Sequence, residues 1–329
     1  MSRKRWLALI AVAMLLTVFV VANTVQTMGN DSNVLSEIAQ DWIQQPIEEG
    51  ADVTGKIAVL ELNGTIQDTG DTGLFAAAGY NHQTFLSQIE HAAEDPVVEG
   101  IIIRVDTPGG GVVESAEIYD RIVEAQQEYD KPVFISMGSM AASGGYYIAA
   151  PADRIIANPQ TITGSIGVIM ESINVSELAE KYGVKVNTIK SGEFKDIMSP
   201  TKEMTDEERE ILQSIIDESY DEFVRIIVEG RGLSEEFVRQ VADGRIYSGK
   251  QALELDLVDD IGSFDDTIAM MKEYLDADYP VVKYEAQGGI PSLFSMTLQE
   301  LVKSDHELSI LETFLSSDRS PTLKYLYTE

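Results

Sequence analysis

Cysteine is absent from the 329 residues. That single absence removes disulfides, zinc–thiolate centres, iron–sulfur clusters and cysteine nucleophiles. Histidine is scarce, with three residues, and basic side chains are few: 24 Lys plus Arg stand against 55 Asp plus Glu, a formal net charge of −31. A surface so acidic repels phosphate backbones, which are bound through many Lys and Arg contacts, so nucleic acid is not expected as a partner. Surface carboxylates in this number also keep a protein hydrated in saline or alkaline surroundings. What remains for chemistry is Ser, Thr, Lys, Asp, Glu and three histidines. Disorder as the default is excluded, because 44% hydrophobic residues in a chain of this length are enough for one or two ordinary cores.

The first thirty residues contain no acid, and their only basic groups are Arg3, Lys4 and Arg5. An uncharged run from Trp6 to Ala22 follows, and the next ionisable side chain is Asp31. As a helix this run is about 25 Å long, and with residues to Val25 it is long enough to cross a hydrocarbon core of about 30 Å. A cleaved secretory signal shares the same basic and apolar regions. Val20-Val21-Ala22-Asn23 offers one small residue where cleavage usually wants two, which favours an uncleaved single-pass anchor. Both readings keep the basic cluster in the cytoplasm and put the rest of the chain outside the cell membrane.

From Asn30 to about Thr54 the chain is polar and acidic and reads as a stalk or short amphipathic helix. Apolar, β-branched runs then recur at Ile57–Leu62, Ile101–Val105, Val133–Ile135, Arg154–Ala157 and Val184–Ile189, each bounded by turn residues. Helix-length segments separate them; in one, Val112, Ala116, Tyr119 and Val123 share a face. Alternation of strand and helix predicts an α/β fold with strands buried on both sides. Beyond Met204 the pattern is helical. Thr205 and Glu208 form a capping box, and Leu212, Ile216, Tyr220, Phe223 and Ile227 line one face. Shorter helices are expected at Glu235–Ala242, Gly249–Leu255 and Asp265–Tyr274, followed by an extension that includes one amphipathic helix.

Three segments carry groups suited to catalysis. Asp106-Thr107-Pro108-Gly109-Gly110-Gly111 follows a strand and precedes a helix. Its glycines allow close backbone approach and can present N–H donors, as an oxyanion hole requires. The spacing fits no phosphate-binding pattern, and a tight strand-to-helix turn is the plainer alternative. In Met140-Ala141-Ala142-Ser143-Gly144-Gly145, small residues leave one hydroxyl accessible at a helix start, where a serine N-cap is the plainer alternative. The third, Lys190-Ser191-Gly192-Glu193-Phe194-Lys195-Asp196, supplies a loop lysine, ordinarily a solvated cation. It matters because a serine nucleophile needs a base and the histidines are poorly placed: His82 in a polar loop, His91 among acids on a helix, His306 in the extension. A lysine serves if it is neutral. Bringing an ordinary lysine from ~10.4 to ~7.5–8 costs on the order of 3 to 4 kcal/mol, within the range that burial imposes.

The ordered set DTPGGG, MGSMAASGGYYIA, TGSIGV and SGEFKD, behind one N-terminal span, resembles the signal peptide peptidase A family of bacterial membrane-anchored Ser/Lys proteases, over about residues 55 to 275. The resemblance implies a fold like that of the Clp protease subunit and the crotonases, a spiral of β-β-α units. With the patterning above, it divides the chain into an N-terminal transmembrane helix (1–28), a stalk (29–54), a protease domain (55–280) and a helical C-terminal extension (281–329). It implies Ser143 as nucleophile, Lys195 as general base, Gly110 and Gly144 as oxyanion donors and Ser165 as the residue that orients Lys195. No cofactor or metal is called for. The expected partners are hydrophobic peptides such as cleaved signal peptides, the membrane, and further copies of the chain. Each motif occurs once, whereas some family members are double-length, so a homo-oligomeric ring in which neighbours complete each other's dyad is expected. The end of the extension, Leu323-Lys324-Tyr325-Leu326-Tyr327, alternates apolar and polar residues and suits a strand or docked tail, or a segment lying in a peptide groove. Two other functions share the motifs: a crotonase-like acyl-thioester enzyme, disfavoured by the lack of basic residues, and a catalytically silent membrane scaffold.

Overall fold

The computed structural model describes residues 42–68, 80–285 and 323–327. The chain divides into two units. The larger, 44–284 with 289–329, carries the fold, and of the smaller, 1–43 with 285–288, only Trp42, Ile43 and Glu285 are among the described residues. The apolar run Trp6–Ala22 and the extension from 286 to 322 lie outside them. No helix among the described residues is long and apolar enough to cross a membrane.

The architecture is mixed α/β around a mostly parallel sheet. Its strands are β1 (Ile43–Glu48), β2 (Lys56–Asn63), β3 (Val98–Thr107), β5 (Val133–Ala142), β6 (Arg154–Ala157), β9 (Asp260–Ile261) and β10 (Val281–Glu285), in the order β1-β10-β2-β3-β5-β6-β9. The pairs from β10 through β9 are parallel, with Ile57 opposite Gly100, Ile101 opposite Val133 and Ile135 opposite Ile155. β7 (Ile162–Gly164) extends the far end of β5 in parallel and pairs antiparallel with β8 (Ile246–Ser248). The remaining strands, β4 (Gly109–Gly111) and β11 (Lys324–Leu326), form a separate antiparallel ladder. The part of the expected stalk that is described includes β1, an exposed edge strand whose Pro46 cannot extend the ladder.

Continuous apolar runs in β2, β3 and β5 follow from burial on both faces. Helix α1 (His82–Glu94) and α2 (Val112–Gln127) cover one face; α3 (Gly144–Ala149), α4 (Ser176–Lys181) and α5 (Asp206–Arg231) come next in the chain. Three shorter helices follow: α6 (Glu235–Val241), α7 (Gly249–Glu254) and α8 (Phe264–Tyr274). Ile268 and Met271 of α8 pack against Ile57, Val59, Ile102 and Phe134 on the opposite face.

Two expectations need correction. The buried stripe of α2 is Ser115, Ile118, Ile122 and Ala125; Val112, Ala116, Tyr119 and Val123, one position away, are only half-buried. The helix meets the sheet through its branched aliphatics, not through its tyrosine. The run Val184–Ile189 forms no strand; its residues are exposed, and no described strand pairs with them.

Candidate active site

Ser143 sits where β5 turns into α3. Its φ and ψ are 53° and −113°, a sparsely populated conformation for a residue with a Cβ. The backbone is held there from both sides: its N–H donates to the Gly164 carbonyl at 2.8 Å, and its carbonyl accepts from the N–H groups of Tyr146 and Tyr147 at 2.9 Å each. Although Ser143 occupies the N-cap position of α3, its hydroxyl makes no capping hydrogen bond. The plainer account of this serine therefore fails, and a hydroxyl in a buried residue, 1% exposed, is left for another purpose.

The strand leading to it is irregular. Val105 pairs with Met137 and Thr107 with Ala141, so β5 carries extra residues between them. Asp106 fills the bulge: one carboxylate oxygen accepts the Met140 N–H at 3.1 Å, and a Cβ on Gly138 would lie 3.0 Å from the other. Asp106 thus holds the irregular stretch that leads to Ser143, a contact its motif position did not reveal.

Gly110 and Gly144 come together beside it. A Cβ built on Gly144 would lie 3.1 Å from Gly110 N and 2.7 Å from Ser115 Oγ, so only glycine permits the approach. β4 is gripped on one side by Ile66, which donates to the Gly109 carbonyl at 2.9 Å and accepts from Gly111 N–H at 2.8 Å. Gly109 has φ of 98°. Ser165 also lies here, directly after Gly164 whose carbonyl receives the Ser143 N–H; its φ is 49°, and its own N–H donates to the Arg245 carbonyl at 2.8 Å. The structure therefore brings Ser143, Gly144, Gly110 and Ser165 into one place.

A peptide strand of the chain itself occupies the other edge of β4. Lys324, Tyr325 and Leu326 run antiparallel opposite Gly111, Gly110 and Gly109. Beyond them, Tyr327 N–H donates to the Pro108 carbonyl at 2.9 Å, and on the far side Lys324 exchanges two hydrogen bonds of 3.1 Å with Ile169. The Tyr325 carbonyl oxygen is 2.1 Å from where a Gly109 Cβ would be, and Gly144 N is 2.6 Å from that same point. The Tyr325 side chain is fully buried, stacked on Tyr147 at 4.8 Å between ring centroids and tilted against Phe223 at 4.7 Å. Its hydroxyl donates to the Ser219 carbonyl at 2.9 Å, and burial raises its pKa. This aromatic seat was not anticipated; the alternation at 323–327 was its only trace. A groove of about 500 Å³ continues past Leu326 and Tyr327, lined by Ser165, Ile166, Ile169, Ile216 and Tyr220.

Lys195 is not bonded to this cluster. It is exposed on a loop between Gly192 and Ser199, and no hydrogen bond joins it to Ser143 or Ser165 among the described residues. Neither described histidine bonds to Ser143. His82 is not in a polar loop but begins α1, buried between the Tyr80 hydroxyl and Glu117 at 2.6 Å each; the His91 ring packs on Tyr284. His306 lies outside the described residues.

The sequence pattern of peptidase family S49 matches residues 125–278, which include Ser143, Ser165 and Lys195. An Enterococcus faecium protein described as "Putative signal peptide peptidase SppA" is 37% identical over 99% of both chains. The chain belongs to peptidase family S49. It is a serine protease, a hydrolase. Protease 4 of Salmonella typhi is 36% identical over 71% of this S49 chain and 37% of its own length. A chloroplastic serine protease SPPA of Arabidopsis thaliana is 29% identical over 66% of this chain and 32% of its own.

Proposed function

We propose that the chain is a membrane-anchored endopeptidase that cuts hydrophobic peptides, remnant signal peptides among them, with Ser143 as nucleophile and Lys195 as general base. The observation that carries this reading is the strand seated on β4. Its Tyr325 carbonyl lies beside Gly109 and Gly144 N–H, opposite Gly110, where an acyl-transfer site would hold the carbonyl that it polarises. A substrate strand in the same register would present its scissile bond to the Ser143 hydroxyl. Lys195 takes the hydroxyl proton as the oxygen attacks the carbonyl carbon, and the N–H groups of Gly110 and Gly144 hold the oxyanion. The C–N bond then breaks as the lysine ammonium returns its proton to the leaving amine. Water, deprotonated by Lys195, hydrolyses the ester, and the Ser165 hydroxyl orients the amine.

The position of Lys195 leads to the second part of the reading, that a neighbouring copy in a homo-oligomeric ring supplies it. The arm that carries the lysine exposes Ile173, Leu178, Tyr182, Val184, Val186 and Ile189, apolar side chains that a neighbouring copy would cover. The parallel sheet supports a Clp- and crotonase-like spiral, and the printed name of the Enterococcus relative supports signal peptides as substrates. The run Trp6–Ala22 behind three basic residues supports a single-pass anchor in the cell membrane with the site on the outer side.

The test is labelling of the full chain in detergent by a serine-directed fluorophosphonate. Ser143→Ala abolishes labelling, and Lys195→Ala slows it about 100-fold or more at pH about 8. Labelling of Lys195→Ala at the full rate removes that lysine from the mechanism.

A further inference from the structure

The loop around Lys195 is a run of turns, tied at its end to the segment before α4, where Val175 N–H donates to the Pro200 carbonyl at 2.7 Å and Asn174 Nδ2 to the Lys202 carbonyl at 3.0 Å. Lys195 N–H donates to Gly192 O at 3.2 Å, Ile197 N–H to Phe194 O at 3.1 Å and Ser199 N–H to Asp196 O at 3.0 Å, while the chain leading in is exposed. One carboxylate oxygen gathers the loop. Asp196 Oδ1 accepts from Lys190 Nζ at 2.7 Å and from Lys202 Nζ at 2.9 Å, and Lys190 also donates to the Glu193 carbonyl at 2.7 Å. Lys202 reaches onward to Glu208, which is 2% exposed and forms the capping box of α5 with Thr205. The same helix buries Phe223, Val224, Ile226 and Ile227 in the core. A continuous path of contacts therefore runs from the core to the residue beside Lys195. Single exposed ion pairs contribute little, but a partly buried network fixed to a capped helix is a different case.

The charges of this path balance. A free carboxylate beside a lysine favours the ammonium form, the opposite of what a general base needs. Here Asp196 and Glu208 are matched by Lys190 and Lys202. Glu193 lies on the same loop, Glu203 in the following turn and Arg209 on α5; Lys202, Glu203 and Arg209 share a cavity of about 360 Å³.

We propose that Asp196 is a positioning residue for the base: clamped between Lys190 and Lys202, it fixes the loop that presents Lys195 without adding net charge beside it. This rests on Lys195 being the general base. The experiment measures kcat, KM and their pH dependence for the full chain in detergent with a fluorogenic apolar peptide, in Lys190→Met, Asp196→Asn, Asp196→Ala and Lys195→Ala. Asp196→Ala lowers kcat about tenfold or more with KM within about twofold, the pattern of a misplaced catalytic group. Lys190→Met moves the acid limb of the profile to higher pH and Asp196→Asn moves it to lower pH, each by about half a unit. Loss of stability alone cannot produce opposite shifts. Should Asp196→Ala fail to assemble, the two milder variants decide the matter. Limbs that stay in place or move together overturn the clamp, and if Lys195→Ala is inactive in the same experiment the base assignment stands without it. Full activity in Lys195→Ala overturns both.

Discussion

The backbone of Ser143 is held in an uncommon conformation by three hydrogen bonds, and its hydroxyl does not serve the helix that it caps. Glycine beside it is a steric necessity. Gly144→Ala would put a methyl group 2.7 Å from Ser115 Oγ and 3.1 Å from Gly110 N. The expected result is a fall in kcat of roughly a hundredfold, as for a displaced oxyanion donor, with a circular dichroism spectrum like that of the parent. Adding Ser115→Ala relieves the closer of the two contacts and should recover about tenfold of it. Asp196 gives a second residue-scale prediction. Hydrogen bonds from Lys190 and Lys202 hold its carboxyl down at about 2. A depressed carboxyl contributes stability that is present above its unfolded value of about 3.9 and is lost as pH falls toward the folded value. The clamp should therefore be intact at neutrality and open between pH about 4 and about 2. Carbon-13 titration of the Asp196 carboxyl tests this, and the midpoint should rise in Lys190→Met.

At the scale of elements, β11 and β4 have the most to say about turnover. A strand that occupies β4 and buries Tyr325 against Tyr147 and Phe223 would compete with a substrate strand bound in the proposed register. Ending the chain before Leu323, or replacing Tyr325 by Ala, should raise the fluorophosphonate labelling rate about tenfold or more, since the open site is then no longer a minor population. An unchanged rate would mean that the tail leaves the site freely. Most of these elements were legible in the sequence. Strands β2, β3 and β6 and helices α6, α7 and α8 lie where alternating composition and capping residues put them, because burial on both faces of a parallel sheet imprints unbroken apolar runs. Val184–Ile189 misled because its composition is that of a buried strand while its surroundings in one chain are solvent. Burial by a second copy would leave the same imprint.

For the whole molecule the question is which chain completes the site. Equal mixing of Ser143→Ala and Lys195→Ala chains, refolded or co-expressed, should restore roughly a quarter of parent activity if each dyad spans one head-to-tail contact and chains assort at random. No recovery in demonstrated mixed assemblies would put both residues in one chain. The net charge of −31 resides on a fold whose apolar arm is exposed, so salt that screens like-charge repulsion should favour association of copies over separation, observable by light scattering as ionic strength rises.

The amino-acid order by itself determined the α/β alternation, the glycine-rich turn, the serine set among small residues and the scarcity of histidine, because backbone conformation and side-chain chemistry are local properties that composition records directly. Only the tertiary structure decided that the Ser143 hydroxyl is released from capping, that Gly110 and Gly144 converge, that residues 323–327 lie along β4, and that Asp196, next to Lys195, is bonded to both Lys190 and Lys202. Those facts depend on contacts between segments as far apart as Gly109 and Leu326, and nothing in either segment alone specifies its partner.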